Sequence, residues 1–275
     1  MSWRVTQDVE EFAHVAGALL AADPVAHNIA LTVVETTRAL ADGTTFAWWT
    51  GQDGQVTGAV SHTPPFAWLL SEVPESAKRP LVELLAASGA EALNARTELV
   101  VELAALLARR TGRRAVLRQA ERLHRLAALT PPPAPPGRPR LAGPEDESLL
   151  RDWAGRFQTE AGLVPRDLTA MVRERLGRKG FVLWEDAGQP VAMAGRTVAA
   201  GGIVRLGPVY TPPEHRRHGY AGAATVAAAR EALAEAGTVV LHTDLTNATS
   251  NGLYARLGFV AVHDRAVFTM ADPAG

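Results

Sequence analysis

The fold is decided by the stretch RRHGYA at Arg216–Ala221 and by the later stretch NATSNGLYARLGF at Asn247–Phe259. The apolar, β-branched run Ile203–Tyr210 precedes the first stretch and predicts a strand. Two prolines in Thr211–Glu214 end that strand in a turn, because proline fixes φ and has no N–H donor. The alanine-rich segment Ala221–Ala236 then predicts a helix. The first stretch therefore joins the end of a strand to the start of a helix.

This junction has the chemistry of a phosphate-binding loop. The first N–H groups of a helix have no partner within the helix and lie at the positive end of its dipole. Gly219 and Ala221 are small enough for a pyrophosphate to approach the backbone, and Arg216 and Arg217 add positive charge. The alternative is an ordinary strand, turn and helix with a solvated basic turn.

The second stretch predicts a helix that carries polar side chains on one face. Thr238–Thr243 is a short β-branched strand, and the helix that follows begins near Asn247 and ends at Gly258, where a left-handed cap is expected. Asn247, Ser250 and Tyr254 are spaced by three and four residues and so share a face. Alternatively, Asn247 only caps the helix and Tyr254 is only a core aromatic.

In order and spacing these segments resemble the GNAT superfamily of acyl-CoA-dependent N-acyltransferases. The shared pattern is a strand, an Arg/Gln-x-x-Gly-x-Gly/Ala loop, a helix, a second strand and Asn-x-x-Ala/Ser-x-x-x-Tyr before a Gly-Phe pair. The likeness is most specific between Ile203 and Phe259. Ala221 stands where a second glycine is commoner, and the family tolerates alanine there.

The resemblance implies acetyl-CoA as cosubstrate and assigns roles to residues that match the motifs. The backbone from Val209 to Thr211 would pair with the pantetheine arm, Arg216–Ala221 would hold the pyrophosphate, and Asn247 would bond the arm. Tyr254 would lie next to the thioester sulfur. The implied cofactor-binding residues are Val209, Tyr210, Thr211, Arg216, Arg217, His218, Gly219, Tyr220, Ala221, Asn247, Ser250 and Tyr254.

A proline-dense segment and a repeated order of elements predict two domains. Thr130–Pro144 contains seven prolines among its TPPPAPPGRPRLAGP letters and predicts a stiff, extended connector. A strand, two helices and a hairpin recur on both sides of it. We therefore expect an α+β fold of two GNAT-like domains in tandem, each with a mixed, mostly antiparallel sheet flanked by helices. The predicted limits are a domain at 1–129, a linker at 130–137 and a catalytic domain at 138–275.

The N-terminal copy lacks the features of a cofactor site. Its loop region Pro74–Leu81 reads PESAKRPL and has no glycine, and Pro80 is expected to open the next helix. Its last predicted helix, Thr97–Arg110, has no tyrosine. We predict that this half binds no cofactor and instead completes a core, docks on the active half or lines the acceptor site.

Composition narrows the functional classes. Twenty-eight basic and 29 acidic residues give a net charge of −1, which does not favour nucleic acid or an anionic membrane as partner. The absence of cysteine excludes disulfides, thiolate metal sites and a cysteine nucleophile, so an acyl group would pass directly from donor to acceptor or through some other residue. We expect no metal. The N-terminus has no signal-peptide pattern and no run is long enough to span a bilayer, so we expect a cytoplasmic protein.

Acyl transfer to an amine requires a base for the acceptor and a proton for the departing thiolate. Tyr254 is the predicted proton donor. His242 and Asp244 lie on one face of their strand, so one would orient the other as the base. Glu214 and Glu160 are further candidates. The acceptor cleft is expected near four residues: Phe157, Glu160, Arg166 and His263.

Three functions follow from these predictions. The first is an N-acetyltransferase that moves an acetyl group from acetyl-CoA to a primary amine of a small molecule or peptide. The second is a non-catalytic acyl-CoA-binding sensor or interaction module, which the missing carboxylate on the strand Ile203–Tyr210 keeps open. The third is a structural tandem protein, in which an intact phosphate loop would have no use.

Overall fold

The computed structural model describes residues 2–40 and 43–272, and its contacts divide the chain into two compact units. Unit 1 comprises Met1–Arg122 and His263–Gly275, and unit 2 comprises Leu123–Val262. The domain limits 1–129, 130–137 and 138–275 stay a prediction, and their ends at residues 1 and 273–275 lie outside the described residues.

The same order of strands and helices occurs twice. The first series is β1 (Trp3–Thr6), α1 (Val9–Ala22), α2 (Asn28–Leu40), β2 (Thr45–Thr50), β3 (Val56–His62), β4 (Trp68–Glu72), α3 (Glu75–Ala87), β5 (Ala92–Arg96), α4 (Thr97–Thr111) and β6 (Arg114–Leu126). The second is β7 (Arg138–Leu141), α5 (Glu147–Glu160), α6 (Thr169–Gly177), β8 (Phe181–Asp186), β9 (Gln189–Arg196), β10 (Ile203–Tyr210), α7 (Tyr220–Glu235), β11 (Thr238–Asp244), α8 (Ala248–Arg256) and β12 (Phe259–Ala271).

Each unit has a mixed sheet in which one neighbouring pair of strands is parallel. In unit 1 the order is β1-β2-β3-β4-β5-β12, and β4 and β5 are the parallel pair. In unit 2 the order is β7-β8-β9-β10-β11, and β10 and β11 are the parallel pair. The predicted fold class of mixed, mostly antiparallel sheets flanked by helices is confirmed.

The last strand of the chain serves both units. Its second half pairs antiparallel with β5, from Arg265 opposite Arg96 to Thr269 opposite Ala92. Residues 265–269 therefore belong to the sheet of unit 1.

Helices cover both faces of each sheet. In unit 1 the aromatic rings of Phe12 and Phe46 stack at 4.5 Å between the sheet and α1, and α3 and α4 form a second apolar core that includes Leu81 and Leu103. In unit 2 the fully buried alanines of α7 let it pack closely against β9 and β10, and a second core around Leu150 lies between α5 and the sheet.

Helix α3 corrects the prediction that Pro80 opens a helix. α3 begins at Glu75 after Pro74, so Pro80 lies inside the helix and does not open it. A proline there removes the bond that its own N–H would donate and crowds the carbonyl four residues earlier, and the helix nevertheless continues to Ala87. The proline-dense connector is extended, and a hydrogen bond holds it to the rest of unit 2. The indole of Trp184 donates to the carbonyl of Pro136 at 2.9 Å.

Candidate active site

The predicted phosphate loop forms a helix N-terminus that is open to solvent. Gly219 is the N-cap of α7 in the left-handed region, with φ of +87°, and Arg217 is left-handed as well, with φ of +67°. No acidic residue lies in the first turn of α7. Because a glycine cap has no side chain, the first N–H groups of the helix are left for a ligand. Arg217 and His218 are exposed beside them.

The side chain of Arg216 points to α5 and the end of β10. Its Nε donates to the carbonyl of Thr211 at 2.9 Å, and its Nη2 donates to Glu160 Oε2 at 2.6 Å. The guanidinium also lies 5.8 Å from the ring centre of Tyr210. Arg216 therefore ties the strand exit to α5, in addition to bringing positive charge to the loop.

Glu160 joins this group through its second oxygen. The Tyr210 hydroxyl donates to Glu160 Oε1 at 3.0 Å. Burial, and then this hydrogen bond, raise the pKa of Tyr210. Sequence reasoning named each of the three residues but missed that they form one cluster, since Glu160 is far from Tyr210 in the chain.

Tyr220 faces away from the open end of its helix. Its hydroxyl donates to the carboxylate of Asp186, and that hydrogen bond is the main cause of its raised pKa. The ring of His218 stacks on it at 5.6 Å. Tyr220 thus has only its backbone to offer a ligand at the loop, while Ala221, next in the helix, is half-buried.

The pairing of the two parallel strands of unit 2 leaves a gap in the ladder between the ends of β10 and β11. Their recorded pairing runs from Ile203 opposite Thr238 to Leu206 opposite Leu241, although β10 continues to Tyr210 and β11 to Asp244. The backbone of Val209, Tyr210 and Thr211 therefore lies beyond the last pair. This is the region where the sequence predicted the pantetheine arm.

Helix α8 begins beside this gap. Asn247 is its N-cap, and its Oδ1 accepts from the N–H of Ser250 at 3.0 Å. Asn247 is exposed, and the amide nitrogen of its side chain remains available as a donor. The capping role and a ligand role thus use different atoms of the same side chain.

Tyr254 lies in the core of unit 2, with 8% of its surface exposed. Its ring meets Phe259 edge-on at 5.9 Å. Burial raises the pKa of Tyr254 to about 12. The hydroxyl therefore keeps its proton at neutral pH, as a proton donor must.

The two candidate bases of β11 differ in their surroundings. Asp244 is exposed at the strand end, and its Oδ1 accepts from the N–H and the hydroxyl of Thr246 at 2.6 and 2.7 Å. His242 is half-buried two residues earlier. That His242 and Asp244 act together as the base stays a prediction. Glu214 is exposed in the turn after β10.

A polar chain behind the strand end was missed by sequence reasoning. The hydroxyl of Thr243 donates to Asn251 Oδ1 at 2.6 Å and lies 3.1 Å from His124 Nε2. The amide of Asn251 donates to the carbonyl of Asp244 at 2.9 Å. This chain fixes the end of β11 to the first turn of α8. Its only sequence signal is an asparagine four residues after the cap Asn247.

The acceptor candidates fall into different places. Glu160 lines an open cleft of about 450 Å³ along α5, whose other lining residues are Arg151, Asp152, Gly155, Arg156 and Thr159. Arg166 lines a neighbouring cleft of about 400 Å³, and burial lowers its pKa. Phe157 packs against the core between α5 and the sheet. His263 belongs to unit 1.

The corresponding loop of unit 1 has the opposite character. Its helix α3 begins at Glu75, an acidic residue in the first turn, after a proline cap. Lys78 Nζ donates to Glu75 Oε2 and Glu102 Oε2, both at 2.6 Å. A carboxylate at the positive end of a helix stabilises the helix and repels a phosphate. That unit 1 binds no cofactor stays a prediction.

The described part of the chain has neither a metal-binding cluster nor a helix that could span a membrane. In 2–40 and 43–272, no three histidine, aspartate or glutamate side chains form a cluster that would hold a metal ion. Within the same part of the chain, no helix has the length and apolar character needed to cross a membrane.

Comparison with known proteins assigns the family of unit 2. Residues 146–259 match the model described as the acetyltransferase (GNAT) family. This part of the chain is a GNAT acetyltransferase domain, which indicates an acyltransferase. Members of the family generally use acetyl-CoA as cosubstrate. No curated protein matches the chain.

Solved structures resemble the chain over both units. A GNAT-family acetyltransferase from Colwellia psychrerythraea has a TM-score of 0.64 at 14% identity, with 99% of this chain and 100% of that chain covered. A GCN5-related N-acetyltransferase from Sphaerobacter thermophilus has a TM-score of 0.65 at 16% identity, with 99% and 97% covered. A tandem GNAT protein from the clavulanic acid biosynthesis pathway has a TM-score of 0.51 at 17% identity, with 85% and 84% covered. At these identities the likeness shows the shared fold.

Proposed function

We propose that the protein is an N-acetyltransferase that transfers an acetyl group from acetyl-CoA directly to a primary amine of a small molecule or peptide. The observation that carries this proposal is the open N-terminus of α7, capped by Gly219, beside the end of β10 that has left its pairing with β11. A helix N-terminus without an acidic first turn favours a pyrophosphate. Unit 2 thus offers one site for the cofactor.

Some of the proposed cofactor contacts are made by backbone groups and others by side chains. The loop Arg216–Ala221 offers backbone N–H groups, with Arg217 and His218 exposed at its edge. Val209, Tyr210 and Thr211 offer the backbone of β10 to the pantetheine arm. Asn247 offers its amide nitrogen, and Ser250 lies one turn further along the same helix face.

The proposed chemistry needs three groups of this chain. When bound, acetyl-CoA supplies a thioester whose carbonyl carbon is open to attack by nitrogen. A backbone N–H of Val209 or Tyr210 donates to the carbonyl oxygen as it gains charge. Tyr254 holds the proton for the thiolate. His242 and Asp244 receive the acceptor's proton in the leading scheme, with Glu160 and Glu214 as further candidates.

The test is a turnover assay on the purified full chain. Acetyl-CoA is mixed with a panel of primary amines, such as a diamine, an amino sugar and a peptide with a free N-terminus, and the release of thiol is measured. Release that depends on an amine is the expected result. Binding of acetyl-CoA without release for any amine would favour the alternative, a non-catalytic acyl-CoA sensor. Absence of binding would contradict both.

A further inference from the structure

Strand β10 contains a bulge at the point where it leaves β11. Opposite β9, Leu206 pairs with Arg196 and Val209 pairs with Ala194, so two residues of β10 face the single Gly195 of β9. A bulge of this kind bends a strand and redirects the residues that follow. The parallel pairing with β11 also ends at Leu206. The direction of Val209 and Tyr210 therefore depends on the geometry of the bulge.

One arginine from helix α6 reaches the bulge. The Nη1 of Arg175 donates to the carbonyl of Gly207, the first bulged residue. Its guanidinium also lies 5.8 Å from the ring centre of Phe181. It reaches the carbonyl past Gly195, where a Cβ would lie 2.9 Å from that oxygen and 3.0 Å from Arg175 Nη1. The missing side chain at Gly195 thus makes room for the contact.

The surroundings of Arg175 disfavour a charged side chain. Burial, and then the positive charges of Arg205 and Arg178, lower the pKa of Arg175. Among the residues that the structure describes, no carboxylate lies within ion-pair distance of Arg175. A guanidinium remains protonated at neutral pH, so a buried one is stable only where its donors are used. Here the identified acceptor is the carbonyl of the bulge.

We propose that Arg175 is a positioning residue for acyl transfer, which holds the Gly207 carbonyl and thereby directs the Val209 and Tyr210 backbone toward the thioester. This inference rests on the proposed function, because it assumes that β10 receives the thioester. Arg175 itself touches neither substrate. Its effect is to keep the backbone donor aligned with the carbonyl oxygen.

Two variants disturb the contact from opposite sides. Arg175→Met removes the guanidinium, and Gly195→Ala leaves it but fills the passage with a methyl group. The matched control is Arg178→Met. Arg178 lies on the turn just after the same helix, and its Nη2 donates to the carbonyl of Arg196 in β9, at 2.6 Å. Folding of each variant is checked by circular dichroism and thermal unfolding.

The deciding readout is the infrared carbonyl stretch of acetyl-CoA labelled with ¹³C at the thioester carbon. A hydrogen bond from the backbone donor lowers this frequency in the bound state. We expect the stretch to return toward that of free acetyl-CoA in Arg175→Met and in Gly195→Ala, measured at acetyl-CoA concentrations that saturate each variant. A displaced donor would also lower kcat by about 100-fold with an amine that turns over. In Arg178→Met the stretch and kcat should match those of the wild type.

The outcomes separate this inference from the proposed function. If Arg175→Met does not fold, Gly195→Ala decides by the same criteria. A wild-type stretch in the folded variants, or an equal change in Arg178→Met, would overturn the role of Arg175 while leaving the acetyltransferase proposal intact. A wild-type protein that does not bind acetyl-CoA would overturn both.

Discussion

Units 1 and 2 share an order of elements but differ in the first turn of one helix. In unit 1, α3 follows Pro74 and carries Glu75, whose carboxylate is paired with Lys78. In unit 2, α7 follows Gly219 and has no acidic residue in its first turn. The same scaffold thus has a carboxylate at the N-terminus of α3 and none at the N-terminus of α7. The difference teaches that a few residues at one turn, and not the fold, determine whether a phosphate is attracted.

The aromatic residues divide between the units in a way that experiments can use. The chain has three tyrosines, Tyr210, Tyr220 and Tyr254, and all of them lie in unit 2. Four of the six tryptophans lie in unit 1, namely Trp3, Trp48, Trp49 and Trp68. Tyrosine signals therefore report on unit 2 alone.

The largest expected effect comes from two matched glycines. Gly112 and Gly258 each follow the last helix of their series in the left-handed region, with φ of +71° and +95°. A methyl group at Gly112 meets no atom within 4 Å, whereas one at Gly258 would overlap the carbonyl oxygen of Ala128. We expect Gly112→Ala to lower the free energy of unfolding by about 1 kcal/mol and Gly258→Ala by about 3 kcal/mol or more. Urea unfolding measures both, and equal losses would contradict this account of the two helix ends.

Loss of the Tyr254 hydroxyl should affect catalysis and not binding. α4 of unit 1 has no tyrosine, so no second proton donor of this kind is present. We expect Tyr254→Phe to lower kcat by about 100-fold, near the lower limit for a positioned acid, because a thiolate is a tolerable leaving group. The Kd for acetyl-CoA serves as the control and should not change. An unchanged kcat would remove Tyr254 from the proposed mechanism.

All three tyrosines should resist ionisation in the folded protein. Burial raises the pKa of Tyr254 to about 12, and hydrogen bonds to Glu160 and Asp186 contribute to the raised values of Tyr210 and Tyr220. The unfolded chain releases these protons near pH 10 while the folded chain holds them, so stability falls as pH rises from about 10 to about 12. Tyrosinate absorbance during an alkaline titration measures this. A tyrosine that ionises below pH 10 in the folded state would contradict the described environment of unit 2.

A smaller effect is expected in unit 1, where acid should lower the stability. Burial, and then the charge of Arg96, lower the pKa of His263 to about 4. The unfolded chain gains this proton near pH 6.5 and the folded chain only near pH 4, so stability falls as pH drops through that window. His263→Leu should flatten the decline, as followed by tryptophan fluorescence in urea at several pH values. A decline as steep as in the wild type would show that His263 does not cause it.

The sequence was most informative where a local pattern has one physical solution. The glycine and proline signals around Gly219 placed α7 within one residue of its observed start, and the same holds for the N-cap Asn247. Pro80 misled, because proline is favoured in the first turn of a helix, whereas here it lies in the second turn of a helix that continues through it.

Side-chain contacts between distant segments were beyond the sequence. The cluster of Glu160, Tyr210 and Arg216 depends on how α5 packs against β10, and no spacing rule links those elements. The assignment of His263 to unit 1 depends on the pairing of β12 with β5. Strand pairing is set by tertiary packing, so the sequence predicted each strand but not the strand that lies beside it.

The central claim is that the chain has one working cofactor site and that it lies in unit 2. Calorimetric titration with acetyl-CoA tests it on the wild type, on Gly219→Glu and on the matched unit 1 variant Ser76→Glu, which adds a carboxylate to the first turn of α3. We predict one site per chain in the wild type and in Ser76→Glu, and no binding in Gly219→Glu. Two sites per chain, or binding that survives Gly219→Glu, would contradict the account.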